Sequence, residues 1–226
     1  MYNYIILSEK LWHKDICENL KEIFKGDNWV FINCKAEFNI ENLTNINPNK
    51  IFIPHWSSII SKNIYENFEC IVFHMTDLPY GRGGSPLQNL IVRGHKETKI
   101  SAIRVSKGID TGDIYLKKSL QLKGTANEIF LKACPIIQNM ISEIISKNIF
   151  PMPQEGEVVE FKRRCPEDGN ISNIREMNLV YDYIRMLDCE GYPSAFIETE
   201  HLKFEFTGAN YSVDNKLIAN VRISKK

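Results

Sequence analysis

The 226 residues carry no excess charge of either sign: 28 Lys and Arg offset 28 Asp and Glu, a formal net charge of zero. Without a net field, nothing at long range draws the chain to a polyanion or an anionic lipid surface, which argues against a nucleic-acid substrate. Long apolar runs are missing too. None approaches the roughly 18 to 20 residues that cross a bilayer, and the start, MYNYIILSEK, lacks the basic region and long apolar core of a signal peptide. The expectation is a cytoplasmic protein with no membrane partner. The six cysteines (Cys17, Cys34, Cys70, Cys134, Cys165 and Cys189) stand singly with no CxxC pair, so neither a disulfide frame nor a zinc site is expected, and the thiols read as small core residues. No internal repeat or low-complexity tract is present. The segment after the first apolar run, Leu7-Ser8-Glu9-Lys10-Leu11, has no glycine, which excludes a dinucleotide-binding fingerprint.

What is there is a chain long enough to bury about 70 to 75% of its unfolded surface and so to enclose a site. Tyr4 to Leu7 is a short apolar run, followed by Leu11, Ile16, Leu20, Ile23 and Phe24 at helical spacing. Further apolar runs at 29–32, 50–53 and 70–73 alternate with polar stretches, the pattern of β-α-β units in a mainly parallel, doubly wound sheet. Residues 99–105 and 114–122 read as a strand pair around a turn at 108–112, adding an antiparallel part. Residues 126–145 follow the helical period with Thr125 as N-cap, and Pro135 is expected to kink or split that helix. The composition shifts at 150–156, so the expected domains are a catalytic one at 1–150 and a small α+β unit at 151–226, the latter reading as strand, turn, helix and closing strands.

The most unusual local sequence is Phe73-His74-Met75-Thr76-Asp77-Leu78-Pro79-Tyr80-Gly81-Arg82-Gly83-Gly84-Ser85-Pro86, directly after an apolar strand. A histidine at the carboxyl end of such a strand faces the crevice where open α/β sheets bind ligands, and the glycines permit close backbone approach. The second feature is Gly108-Ile109-Asp110-Thr111-Gly112-Asp113, a glycine-bracketed turn with two carboxylates. An aspartate there can orient an imidazole and stabilise its protonated form. Either feature alone reads as structure: a satisfied histidine, or ordinary Asp turn chemistry.

Together, these residues resemble the folate-dependent formyltransferase family, which includes methionyl-tRNA formyltransferase, glycinamide ribonucleotide transformylase and sugar N-formyltransferases. The matching positions are His74, Leu78-Pro79, Arg82-Gly83, Pro86 and, 36 residues after the histidine, the Asp110 turn. The resemblance is most specific over 51–122 and looser through Phe161 to Ile171 and Gly191 to Phe196. It implies a Rossmann-like α/β fold, 10-formyltetrahydrofolate as formyl donor, and acyl transfer in which His74 contacts the tetrahedral intermediate and carries the proton while Asp110 holds and polarises His74. It places the pterin by main-chain groups near Trp56, Ile59, Ile60, Gly108 and Ile109, and the acceptor near Tyr80, Arg82 and Gly83. It also implies a homodimer through the C-terminal unit.

In one place the chain departs from the family pattern. The family has Asn two residues before the histidine, a donor to the developing oxyanion, and this chain has Val72. Removing one such donor costs on the order of 100- to 1000-fold in rate. Either another donor substitutes, with Thr76, Ser57 and His55 nearest in sequence, or the chain binds folate without turnover; a hydrolase releasing formate from 10-formyltetrahydrofolate is a further alternative. For the acceptor, balanced charge and only about 75 residues after the linker count against charged tRNA. The family then leaves the amine of a nucleotide-linked or free amino sugar, of the kind built into bacterial surface glycans, with no nucleic-acid partner.

Overall fold

The computed structural model describes residues 1–226. In chain order the elements are β1 (Asn3–Ser8), α1 (Lys14–Ile23), β2 (Asn28–Ile32), α2 (Ile40–Ile46), β3 (Lys50–His55), α3 (Lys62–Tyr65), β4 (Cys70–His74), β5 (Tyr80–Gly83), α4 (Pro86–Val92), β6 (Glu97–Arg104), β7 (Ile114–Gln121), α5 (Ala126–Ser146), β8 (Val159–Phe161), α6 (Met177–Leu187), β9 (Ala195–Glu198), β10 (Leu202–Tyr211) and β11 (Leu217–Lys225). Two compact units divide the chain. One holds 1–82, 99–120 and 131–160; the other holds 83–98, 121–130 and 161–226.

The first unit is built on the sheet β2-β1-β3-β4-β6-β7. Strands β2, β1, β3 and β4 run parallel, and β6 pairs antiparallel with β4, in register from Ile71 opposite Arg104 to His74 opposite Ser101. The fold is therefore α/β with a mostly parallel sheet. Both faces of the sheet are apolar, as a doubly wound sheet requires. On one face Ile5, Leu7, Ile51, Ile53 and Cys70 join Leu43 and Ile64 in a cluster at most 6% exposed. On the other, the Tyr4 and Trp29 rings lie 4.7 Å apart, and Trp29 stacks on Phe52 at 6.2 Å.

The strand alternation also explains where polar groups surface. Cys70, Val72 and His74 lie on one face of β4; the first two pack in the cluster, and His74 emerges beyond it at the strand's carboxyl end. On β3, Ile51 and Ile53 lie on the clustered face, and the register against β1 shifts before His55, which pairs with Ser8.

Helix α5 starts with the capping box expected from Thr125: Glu128 N–H donates to Thr125 Oγ1 (3.2 Å) and Thr125 N–H to Glu128 Oε2 (2.9 Å). The expected break at Pro135 does not divide it; one helix runs from Ala126 to Ser146. Ile129 and Ala133 before the proline and Ile137, Met140, Ile141 and Ile144 after it are at most 2% exposed. Their burial on both sides outweighs the about 3 kcal/mol that an interior proline costs. This helix has the length and composition of a membrane span, yet its apolar stripe is core.

In the second unit, α6 and the antiparallel sheet β11-β10-β9 form the α+β part. Arg185, 4% exposed, ties α6 to the chain before α5 by donating to Leu122 O (2.7 Å) and Gly124 O (2.9 Å).

Candidate active site

The loop after β4 and the loop between β6 and β7 meet at His74. Asp110 brings its Oδ2 to 3.5 Å from His74 Nδ1, with the two side chains only 7% and 16% exposed. On the other side of the ring, His74 Nε2 donates to Gly81 O at 2.8 Å. A carbonyl only accepts, so Nε2 carries a proton, and Nδ1 is the nitrogen that gains or loses one. Both nitrogens thus face acceptors.

The backbone that carries these groups is held tightly. Ser101, fully buried in β6, donates to Thr76 O (2.7 Å) and accepts from Leu78 N–H (3.3 Å). Asp77 is bound by Lys117 (2.5 Å) and Lys99 (2.9 Å), and Lys117 also donates to Leu78 O. Burial raises the Asp77 carboxyl, and the two lysines more than reverse this, leaving it below the usual carboxylate range. In the 105–113 loop, Asp110 adopts φ 53°, the left-handed region that Asp tolerates better than most residues. Gly112 is obligatory, because a Cβ there would lie 1.6 Å from Arg104 O. Asp113, the second carboxylate of that turn, is exposed.

The remaining expected residues fall in three places. Trp56 and Ile59 line a depression of about 180 Å³ with Phe38 and Ser61, whereas Ile60, 8% exposed, belongs to the core cluster. Gly108 (φ 102°) and Ile109, 64% exposed, sit on the turn before Asp110. Ser106 and Lys107 just ahead of them line a second depression of about 400 Å³ with Lys62 and Tyr65. Tyr80, Arg82 and Gly83 form β5, and Arg82 directs Nε (3.1 Å) and Nη2 (2.8 Å) to Gln154 Oε1.

Val72 packs against the apolar cluster and brings no donor. Two of the substitutes named above are engaged elsewhere: Thr76 is fully buried with its hydroxyl on Gly81 O (3.4 Å), and Ser57 Oγ donates to Glu9 Oε1 (2.8 Å). Sequence reasoning assigned no role to Ser101, Lys117 or Gln154. Ser101 and Lys117 lie inside strands at no motif, and Gln154 lies in the stretch read as a link.

Comparisons with known proteins identify the family. Residues 21–131 match the family model described as formyl transferase, and 166–224 match that described as methionyl-tRNA formyltransferase, C-terminal domain. A solved structure from Clostridium thermocellum, a methionyl-tRNA formyltransferase, is 50% identical, with a TM-score of 0.96 over 100% of both chains. The methionyl-tRNA formyltransferase of Clostridium botulinum is 27% identical over 83% of this chain, which spans 63% of that protein's length. A sugar N-formyltransferase from Shewanella sp. covers 97% of this chain and 96% of its own at a TM-score of 0.69, but with 14% identity it shares the fold alone.

The acceptor expected from the sequence is thereby corrected. The assignment to an amino or nucleotide sugar, and the exclusion of a nucleic-acid partner, are overturned by a 50% identical structure and by relatives that are named for methionyl-tRNA. Zero net charge was the misleading observation, because it reports the far field and not the contacts a site can make. The histidine, the aspartate turn and both matched segments fit one conclusion: the chain belongs to the formyl transferase family.

Proposed function

We propose that this protein transfers the formyl group of 10-formyltetrahydrofolate to the amino group of methionine carried on tRNA. The observation that carries the reading is the His74–Asp110 pair at 3.5 Å, in a chain 50% identical over its whole length to a methionyl-tRNA formyltransferase. The folate donor supplies the formyl carbon. Its binding is supported by the depression beside Trp56 and Phe38 and by a second one at the start of the 105–113 loop, where Lys107, with Lys62 and its partner Glu66, lines the wall.

His74 takes up the proton that the amine loses on attack, Asp110 stabilises the imidazolium so formed, and the proton passes to the folate nitrogen as the tetrahedral oxyanion collapses and the formyl C–N bond of the donor breaks. His55 is the side chain that supplies an oxyanion donor in place of Val72. His55 ends β3, the strand paired in parallel with β4, which ends at His74. Burial first, and Lys10 second, lower the pKa of His55, so the imidazole is neutral and retains one N–H to donate.

The test is transfer of radiolabelled formyl from 10-formyltetrahydrofolate to methionyl-tRNA, read as acid-precipitable label. Absence of label on methionyl-tRNA at low salt, with the folate bound, would falsify the acceptor. Formate release without any acceptor would point to hydrolysis instead.

A further inference from the structure

Gln154 belongs to the stretch between α5 and β8 and to none of the motifs that define the site. Two backbone hydrogen bonds between Met152 and Ile114 (2.8 and 2.9 Å) lay this stretch beside the exit of the 105–113 loop. From there the Gln154 amide is used at both ends. Nε2 donates to Asp110 O and to Gly112 O, each at 2.8 Å. Oε1 accepts from Arg82 Nε (3.1 Å) and Nη2 (2.8 Å). A guanidinium has only donors, so Arg82 fixes which end of the amide is oxygen and thereby turns both N–H groups to the loop. The two carbonyls flank Thr111, and Asp110 is the loop's non-glycine residue at positive φ, a conformation that persists only where its surroundings impose it.

We propose that Gln154 is a positioning residue for formyl transfer, clamping the Asp110 turn through two carbonyls and so holding the Asp110 carboxylate against His74 Nδ1. Arg82 acts in the same assembly as the group that orients the clamp. The inference rests on the reading of the site as a formyl-transfer centre. It adds a residue that acts on His74 at one remove, and it predicts that loss of Gln154 is felt in turnover and not in substrate binding.

Two variants of the full chain test it. Gln154→Ala removes the amide. Gln154→Glu keeps the volume and the partner of Arg82 but offers no N–H to the two carbonyls. The first readout needs no reaction: ¹⁵N resonances of the His74 imidazole respond to the carboxylate beside Nδ1. In both variants they are expected to move in the direction produced by Asp110→Asn. The second is kinetic. kcat is expected to fall on the order of 100-fold, the effect of misplacing a group by about 1 Å, with KM for either substrate nearly unchanged. In the Asp110→Asn background, Gln154→Ala is expected to add little, because residues acting as a unit are not additive.

His74 resonances that stay at wild-type positions in Gln154→Glu overturn the proposal, as does a full further loss of kcat in the Asp110→Asn background. Should Gln154→Ala fail to fold, Gln154→Glu is read by the same criteria. If the wild-type protein transfers no formyl at all, the reaction is misassigned, and the imidazole resonances alone decide whether Gln154 positions Asp110.

Discussion

Replacing Asp110 by Asn removes one charge and leaves nearly everything else in place. Asn adopts the left-handed conformation at least as readily as Asp, so φ 53° is not a reason for the variant to unfold. The Gln154 bonds to the turn go to main-chain carbonyls and survive. What changes is the field at Nδ1. Two unit charges 3.5 Å apart at an effective dielectric of about 20 attract by about 5 kcal/mol, an upper figure because a neutral amide still presents a dipole. With each 1.36 kcal/mol worth about tenfold in rate, the expected loss of kcat is between about 100- and 1000-fold. The interaction matters only once His74 is protonated, which happens after the amine attacks, so KM for donor and acceptor should stay close to wild type. Quenched single-turnover transfer, with circular dichroism as a folding control, measures it. A loss smaller than tenfold in a folded Asp110→Asn protein would show that His74 carries no proton in the rate-determining step, and the assignment would be abandoned.

Two further predictions concern the frame around the site. Gly112→Ala forces a Cβ to 1.6 Å from a backbone oxygen; it should destabilise the fold on the order of 3 kcal/mol or more and reduce transfer, whereas Gly26→Ala, with nothing within 4 Å, should be neutral by urea denaturation. His13, 4% exposed and 2.7 Å from Ser8 Oγ, is pushed down from 6.5 to about 3 by burial, with His55 and Lys10 adding to it. Because the folded-state value lies below the unfolded one, the unfolded chain binds the proton more tightly. The associated stability is present above pH 6.5 and is lost progressively as pH falls toward 3. Between pH 7 and pH 5 the loss is about 2 kcal/mol, measurable as a lower urea midpoint. If His13→Asn loses as much over that interval, the acid sensitivity arises elsewhere.

The elements with strong periodicity were legible in the sequence. The apolar runs at 4–7, 29–32, 50–53 and 70–73 became β1 to β4, the turn at 108–112 joins β6 to β7, and Thr125 caps α5. Of the kink or split expected at Pro135, the split did not occur, because local propensity was weighed without the burial on either side of it. At the site, His74 and Asp110 were readable from their motifs and their meeting is seen in the structure. Gln154 and Ser101 were not, since a single polar residue in a link or a strand carries no pattern and acquires its partners only through tertiary pairing, Met152 with Ile114 and His74 with Ser101. The acceptor was misread because net charge is a sum, and a sum of zero is compatible with any arrangement of 28 cations.

The Val72 departure looks different once the pleat is considered. Val72 and His74 share a face of β4, but Val72 lies one pleat deeper, against Ile53, where an amide would need a buried partner of its own. At this end of the sheet two polar pairs occur: Ser8 with His55, across a register shift, and His74 with Ser101. Ser101 is spent on holding the chain at Thr76 and Leu78, and Ser8 on His13. His55 and His74 are the two of these residues to which the proposed mechanism gives roles, one as a neutral donor and one as proton carrier. In that mechanism the oxyanion donor thus comes from the end of β3, and Val72 is left to pack against the apolar cluster.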